Sequence, residues 1–408
     1  MATRHSAQII KHLALFWPVL LFTACKTTGS QPGRLRDYQT PPPGEVRINW
    51  YTTRLPSANP VDTGSAYSGY ISPLMPEKGV LYFDTPPYYQ IGKLNLAVPQ
   101  RYVDDASFNS ELIHGAFDPN LESRVTFFVH GYNHTFENAI QRGAEIFAAL
   151  ENPGSGITAF RSKPLIFDWP SQGKAVDDPN IESWITTGAP FFARPYLQDR
   201  MSADANIDEF LKLIGITCGQ GRLYHNINMI AHSMGARLTV ETLAALSRDY
   251  QRQFAPGASF ATIKSSFPCP VRNLVLASGD MELFRFRSLL PDLLLIVDRI
   301  TLYVNGTLIE QSLPGPSAAD IPLALSKILN FFAAGEFGPR IGHDGFLISQ
   351  LNSVIDVVAM RYLPNADESH GHMNIFSHPA VLRDLTLTLQ NAPNPNRITI
   401  GQRQFILQ

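Results

Sequence analysis

The run Asn226-Ile227-Asn228-Met229-Ile230-Ala231-His232-Ser233-Met234-Gly235-Ala236 sets the tightest limit on how this chain can fold. Apolar residues of a buried strand lead straight into a serine, and Arg237-Leu238-Thr239-Val240-Glu241-Thr242-Leu243-Ala244 continues as a helix with no spacer. So abrupt a turn from strand to helix brings backbone against backbone, and only small side chains fit two residues before and two after its apex. Ala231 and Gly235 meet that demand, the alanine adding one methyl where glycine is the commoner choice. Ser233 is then held out at a strand tip beside the positive end of the following helix. The A-x-S-x-G pattern is short and arises by chance, so its weight depends on which groups stand around it and in what order.

From Arg124 onward, strand and helix patterns alternate. Arg124 to Gly131, Pro164 to Pro170, Asn226 to His232, Val271 to Asp280, Arg299 to Gly306 and, as the last strand, Ser353 to Met360 read as buried strands. Helical periodicity falls between them, from Thr135 to Leu150, from Tyr196 to Ile214, from the serine to about Tyr250, and again after His378. Near-continuous apolar strands separated by helices imply a mostly parallel central sheet with helices on both faces, and a site beyond the strands' C-terminal ends. Before Arg124 the pattern is β-rich, with strands expected at Glu45 to Arg54, Gly79 to Asp84 and Lys93 to Pro99, separated by Gly, Pro and Ser clusters. Phe286 to Ile296 is apolar enough for a lid or a lipid contact, although such a run is more often a buried helix.

The first residues stand apart from this pattern. Arg4, His5 and Lys11 precede an apolar run from Leu13 to Ala24 that is too short to span a bilayer, followed by Cys25 and a polar stretch. Leu21-Phe22-Thr23-Ala24-Cys25 resembles the lipobox of bacterial lipoproteins, with Phe22 where an aliphatic residue is usual. The expected organisation is a lipoprotein-type signal peptide over 1–24, a Pro-containing tether over 25–44 and one domain over 45–408 with its β strands first. Lipidated Cys25 would anchor the chain to the membrane of the bacterial envelope, and Lys26 favours the outer membrane, facing the periplasm. In that oxidising space Cys218 and Cys269 form an even pair, either a disulfide or two buried thiols. A net charge of -2 gives no bias toward nucleic acid, and the histidines show no metal-ligand spacing, so neither metal nor cofactor is expected.

A serine hydroxyl is a weak nucleophile until a base takes its proton and an acid orients that base. His372 is the favoured base, in a loop that also holds His370 and His378. For the acid, Asp320 opens a helix-like run one strand after Asp280, which ends a strand directly. Asp320 has the commoner position and Asp280 is the alternative, with Glu310 a further option. Oxyanion donors are expected at the Tyr132 N–H, in His130-Gly131-Tyr132-Asn133, and at the Met234 N–H after the serine.

Phe127 to Asn133, Asp168-Trp169-Pro170-Ser171-Gln172-Gly173, Tyr196 with Asp199 and Ser202, Ala231 to Ala236, Leu274 to Asp280, Leu302-Tyr303-Val304, Arg340-Ile341-Gly342 and His370-Gly371-His372 together resemble a prokaryotic family of esterase/lipase-like α/β-hydrolases of unknown function. The resemblance implies the α/β-hydrolase fold and a serine hydrolase. In that family a Tyr-Val-Ser strand runs almost directly into an Asn-Asp-x-Ala-Leu-x-x-Ser segment, which Asp320 to Ser326 resembles, with Leu308 to Ala319 inserted between them here. The expected activity is hydrolysis of a carboxylic ester, small-molecule or lipid, through a Ser-His-Asp triad and an acyl-enzyme. The alternatives are an amidase or acyltransferase with the same triad, or a non-catalytic envelope lipoprotein that uses the scaffold for binding.

Overall fold

The computed structural model describes residues 45–57, 66–73, 76–84, 100–101, 108, 124–154, 156–171, 190–219, 226–305, 338–344, 354–360, 363 and 372–407. The signal segment, Cys25, the tether, the expected strand at Lys93 to Pro99, Glu310, Asp320 and His370 lie outside these residues.

The strands are β1 (Glu45–Thr52), β2 (Arg54–Pro56), β3 (Tyr67–Ile71), β4 (Glu77–Asp84), β5 (Gln100–Arg101), β6 (Arg124–Val129), β7 (Lys163–Asp168), β8 (Asn226–His232), β9 (Val271–Ala277), β10 (Val297–Val304), β11 (Ile355–Ala359), β12 (Arg397–Gly401) and β13 (Gln404–Leu407). The helices are α1 (Phe136–Glu151), α2 (Pro190–Ala205), α3 (Ile207–Gly219), α4 (Met234–Gln251), α5 (Phe260–Ser266), α6 (Leu283–Ile296), α7 (Ile341–Asp344), α8 (Asn374–Ser377) and α9 (Pro379–Leu389). All strands but β2 and β3 form one sheet of order β12-β13-β11-β10-β9-β8-β6-β7-β1-β4-β5. From β13 to β1 every neighbouring pair is parallel, while β4 and β12 run antiparallel at the two flanks.

Side chains alternate across this sheet, so consecutive phenylalanines serve opposite layers. Phe127 packs with Phe210 and Leu213 of α3 and Leu238 of α4, whereas Phe128 packs with Ile140 of α1, Phe376 of α8 and Val381 of α9. With both faces covered, a strand such as β6 is buried at every residue from Val125 to Val129, which is why it lacks the alternation of a half-exposed strand. Thr135 caps α1 by accepting the Asn138 N–H. Phe286 to Ile296 lies within α6, with Phe286, Leu289 and Leu293 buried in the core.

Two expectations need correction. The helix expected from Tyr196 to Ile214 is broken between α2 and α3 at Asn206, whose Nδ2 donates to Ser202 O at 2.7 Å and whose Oδ1 accepts from the Thr53 hydroxyl. Nor is Ser353 to Met360 the last strand, because β12 and β13 extend the sheet. Charge ties that hairpin down. Arg397 Nε is 2.6 Å from Asp384 Oδ1 and Arg403 Nη2 is 2.5 Å from Asp356 Oδ1, while Arg299 also reaches Asp356. Tyr303 donates to Asp384 Oδ2 at 2.6 Å. Burial, and next the Asp384 charge, push the Tyr303 hydroxyl well above its ordinary range.

Cys218, near the end of α3, and Cys269, before β9, are joined with an S–S distance of 2.00 Å. Closing a loop of this size is worth roughly 4 kcal/mol in the loop-entropy model. No helix among the described residues is long and apolar enough to cross a membrane.

Candidate active site

The chain leaves β6 for β7 on one side, then returns to place β8 on β6's other side. That reversal opens a crevice at the C-terminal ends of β6 and β8, the usual place for a ligand in such sheets. The 130–134 loop follows β6 and Ser233 follows β8, so both reach the crevice.

Ser233 has φ 51° and ψ -122°, a conformation L-residues seldom adopt, and such strain persists only where neighbours over-determine it. The neighbours here are specific. Ser233 N donates to Ala277 O at 3.0 Å, while Ser233 O accepts from Asp280 N at 2.9 Å and Ala236 N at 3.0 Å. A Cβ at Gly235 would sit 2.3 Å from His130 O, and one at Gly131 would sit 2.7 Å from Ser233 Cβ. Glycine at both positions lets the 130–134 loop close directly onto the serine.

His372 enters from the loop before α8, and its carbonyl is held at the sheet edge. That oxygen accepts from His232 Nε2 at 3.0 Å and from Ser278 Oγ at 3.2 Å, and Ser278 in turn accepts from Asn305 Nδ2 at 3.0 Å. The His232 and His372 rings meet edge to face with centroids 4.8 Å apart. Burial, followed by the proximity of His372 and His134, pushes His232 well below its ordinary range and keeps it neutral. Since His372 O can only accept, the His232 proton sits on Nε2.

Asp280 is buried beside the serine's main chain. Tyr196 donates to its Oδ2 at 2.7 Å, and Arg340 Nε stands 3.5 Å from its Oδ1. Tyr196 also packs against Tyr132, with ring centroids 5.8 Å apart, so the expected oxyanion loop and Asp280 share this tyrosine as a neighbour.

Residues 105–307 match the model of a family described as alpha/beta hydrolase of unknown function (DUF900). The scaffold is that of an α/β-hydrolase. No curated protein matches the chain. The matched segment of the hydrolase scaffold holds Tyr132, Ser233, Met234 and Asp280, whereas His372 and Asp320 fall after it. Among the described residues no group of three or more His, Cys, Asp or Glu side chains is arranged to hold a metal.

One part of the site was missed in the sequence. Arg54 was read as the end of a strand, yet it is buried at 1% exposure and reaches under the 130–134 loop. Its Nε donates to both Asp168 oxygens at 2.9 Å, its Nη1 to Ser171 O at 3.0 Å and its Nη2 to His134 O at 2.8 Å. Burial disfavours ionised Asp168, but Arg54, His130 and Thr52 outweigh it and hold the carboxyl below its usual range. Burial, and next His130, push His134 down to about 3, against the pull of its hydrogen bond to Tyr132 O. An arginine at the end of an apolar strand and an aspartate before Trp-Pro were the available signals.

Proposed function

We propose that the protein is a serine hydrolase that cleaves carboxylic esters through an acyl-enzyme. Ser233 Oγ attacks the ester carbonyl while His372 takes its proton, and the carbonyl electrons move onto oxygen in the tetrahedral adduct, against the Tyr132 and Met234 N–H groups. Collapse expels the alkoxide, which takes the proton from His372. Water, deprotonated by His372, then releases the acid. The carboxylate that orients His372 comes from one of two candidates. Asp320 has the commoner place one strand later, and Asp280 stands at the serine's own edge.

The observation that carries this reading is Ser233 itself, strained at φ 51° on a strand tip and enclosed by Gly131 and Gly235 at the sheet's switch point. Fluorophosphonate labelling of the folded chain tests it. An adduct at Ser233, lost in Ser233→Ala together with turnover of short-chain p-nitrophenyl esters, is expected. Absence of an adduct would move the reading to a scaffold used for binding, and labelling without ester turnover would move it to an amidase or acyltransferase. For the acid, Asp320→Asn and Asp280→Asn are compared, and the variant with near wild-type turnover does not carry the role.

For location, we propose export and anchoring through lipidated Cys25 in the bacterial envelope, on the outer membrane facing the periplasm. The Leu21-Phe22-Thr23-Ala24-Cys25 pattern and the Cys218–Cys269 disulfide support an oxidising destination. Metabolic labelling with an alkyne fatty acid is expected to mark the wild-type chain and not Cys25→Ser.

A further inference from the structure

The amide expected to bind the oxyanion, Tyr132 N–H, belongs to the same peptide unit as Gly131 C=O. Described peptides are trans, so the two groups of this planar unit point in opposite directions, and whatever holds the carbonyl aims the N–H. The Gly131 carbonyl oxygen lies 2.8 Å from His130 Nδ1. A carbonyl can only accept, so Nδ1 carries a proton.

The other ring nitrogen faces two partners. His130 Nε2 is 3.0 Å from Asp168 Oδ1 and 3.2 Å from Trp169 N. With a proton it pairs with the carboxylate, and without one it accepts the Trp169 N–H. Either way Nδ1 keeps its proton and its hold on Gly131. The ring is also stacked on Trp169, with centroids 5.1 Å apart and an interplanar angle of 2°. The next peptide is held in the same manner, with Tyr132 O accepting from His134 Nδ1 at 2.8 Å.

Behind both histidines stands one buried pair. Asp168 ends β7 beside Thr52 at the end of β1, and the Arg54 guanidinium binds Asp168 together with the carbonyls of His134 and Ser171. Ser171 Oγ completes the brace, accepting from His134 N at 2.8 Å and lying 2.9 Å from His134 O. Asp168 thus acts on the loop's first peptide through His130, and Arg54 fixes the loop's far end.

We infer that the Arg54–Asp168 pair, acting through His130, positions the oxyanion-binding peptide, so that the strand before the matched hydrolase segment is a working part of the catalytic apparatus. Arg54, Asp168 and His130 are positioning residues, and the inference rests on the serine-hydrolase reading above. The guanidinium fork is essential to it, because an ammonium cannot meet a carboxylate and two divergent carbonyls in one plane.

The test uses the full chain, a short-chain p-nitrophenyl ester, and a phenylboronic acid whose tetrahedral adduct on serine loads the oxyanion site. Rates are taken per Ser233 site labelled to completion by fluorophosphonate, so only folded molecules count. Loss of one oxyanion donor typically costs about a hundred- to a thousandfold in kcat. Arg54→Lys, which misaims a donor without deleting it, is expected to lower kcat roughly tenfold to a hundredfold with KM within about twofold, and to weaken boronic acid binding by a similar factor. His130→Asn, whose amide N–H can stand where Nδ1–H stands, should retain more kcat than His130→Gln, which mimics Nε2. If Arg54→Lys fails to fold, the Asn and Gln pair decides. Wild-type kcat per labelled site in Arg54→Lys, or equal losses in the two His130 variants, overturns the inference and leaves the serine hydrolase standing. A wild-type chain that neither labels nor turns over ester overturns both.

Discussion

Two charge networks built on buried carboxylates sit at opposite edges of the same sheet, the first fully buried and the second with Arg299 and Arg403 partly in water. At the C-terminal edge, Arg54 and Asp168 share the space under the 130–134 loop with His130 and His134. At the N-terminal ends of β10 and β11, Asp356 gathers Arg299, Arg397 and Arg403, and Asp384 takes a second bond from Arg397. Taking charges out of water is costly for both networks, and neither outcompetes a well-packed apolar cluster on stability alone. They differ in what the arginines hold. In the second network they hold carboxylates on β11 and α9, with Arg403 Nε also reaching Ile355 O of β11 at 3.3 Å, and so fasten a hairpin to the sheet. Arg54 also holds two backbone carbonyls, His134 O at the end of the loop that closes onto Ser233 and Ser171 O after β7. A buried ion pair that spends its remaining donors on a loop is set up to fix that loop's geometry, and this separates a positioning role from a fastening one.

Four measurements would break or sharpen that difference. Ser233→Ala should lower ester turnover by about 10⁴-fold or more while leaving the urea midpoint near wild type, which marks the limit of a purely chemical loss. Arg54→Met should weaken both properties. It leaves Asp168 buried without its guanidinium, at a cost of about 3–5 kcal/mol in urea unfolding, and turnover per labelled site should fall with it. Asp356→Asn should cost about 1–2 kcal/mol by the same assay, because Arg299 and Arg403 are partly solvated and Arg397 keeps Asp384, and should leave kcat within about twofold. A matching loss of turnover there would erase the distinction between the two edges.

The fourth measurement concerns acid, where the loss is spread over several pH units. His134 and His232 titrate lower in the folded chain than in the unfolded one, so between about pH 6.5 and the folded values the unfolded state binds more protons. Stability at the site's edge should therefore fall as pH drops below about 6.5, with a slope of up to about 1.4 kcal/mol per pH unit for each histidine. For His134 the loss continues to about 3. His134→Gln should flatten a plot of urea-unfolding free energy against pH, and an unchanged slope would remove His134 from this account.

Much of the architecture was legible because its determinants are local. Continuous apolar runs such as Val125 to Val129 and Leu274 to Ala277 announce strands covered on both faces, and Ala231 and Gly235 announce the turn at Ser233. The C-terminal hairpin was not legible as part of the sheet, since its alternating Ile398 and Ile400 are exposed and its hold on the sheet is charge, from Arg397 and Arg403 to Asp356 and Asp384. The break at Asn206 was hidden for a similar reason, because a side-chain bond from Thr53 helps to make it.

By itself, then, the sequence determined the alternation of strands and helices after Arg124, the small residues around Ser233, and the histidine and oxyanion candidates that follow strands of that region. These are statements about neighbours along the chain, where steric limits and hydrophobic period act directly. Only the tertiary structure decided that Thr52, Arg54, His130, His134 and Asp168 form one unit, and that Tyr196 and Arg340 close on Asp280. Parallel strands distant in sequence end at the same edge of a sheet, and the packing that aligns those ends, not any spacing in the chain, brings their charges together.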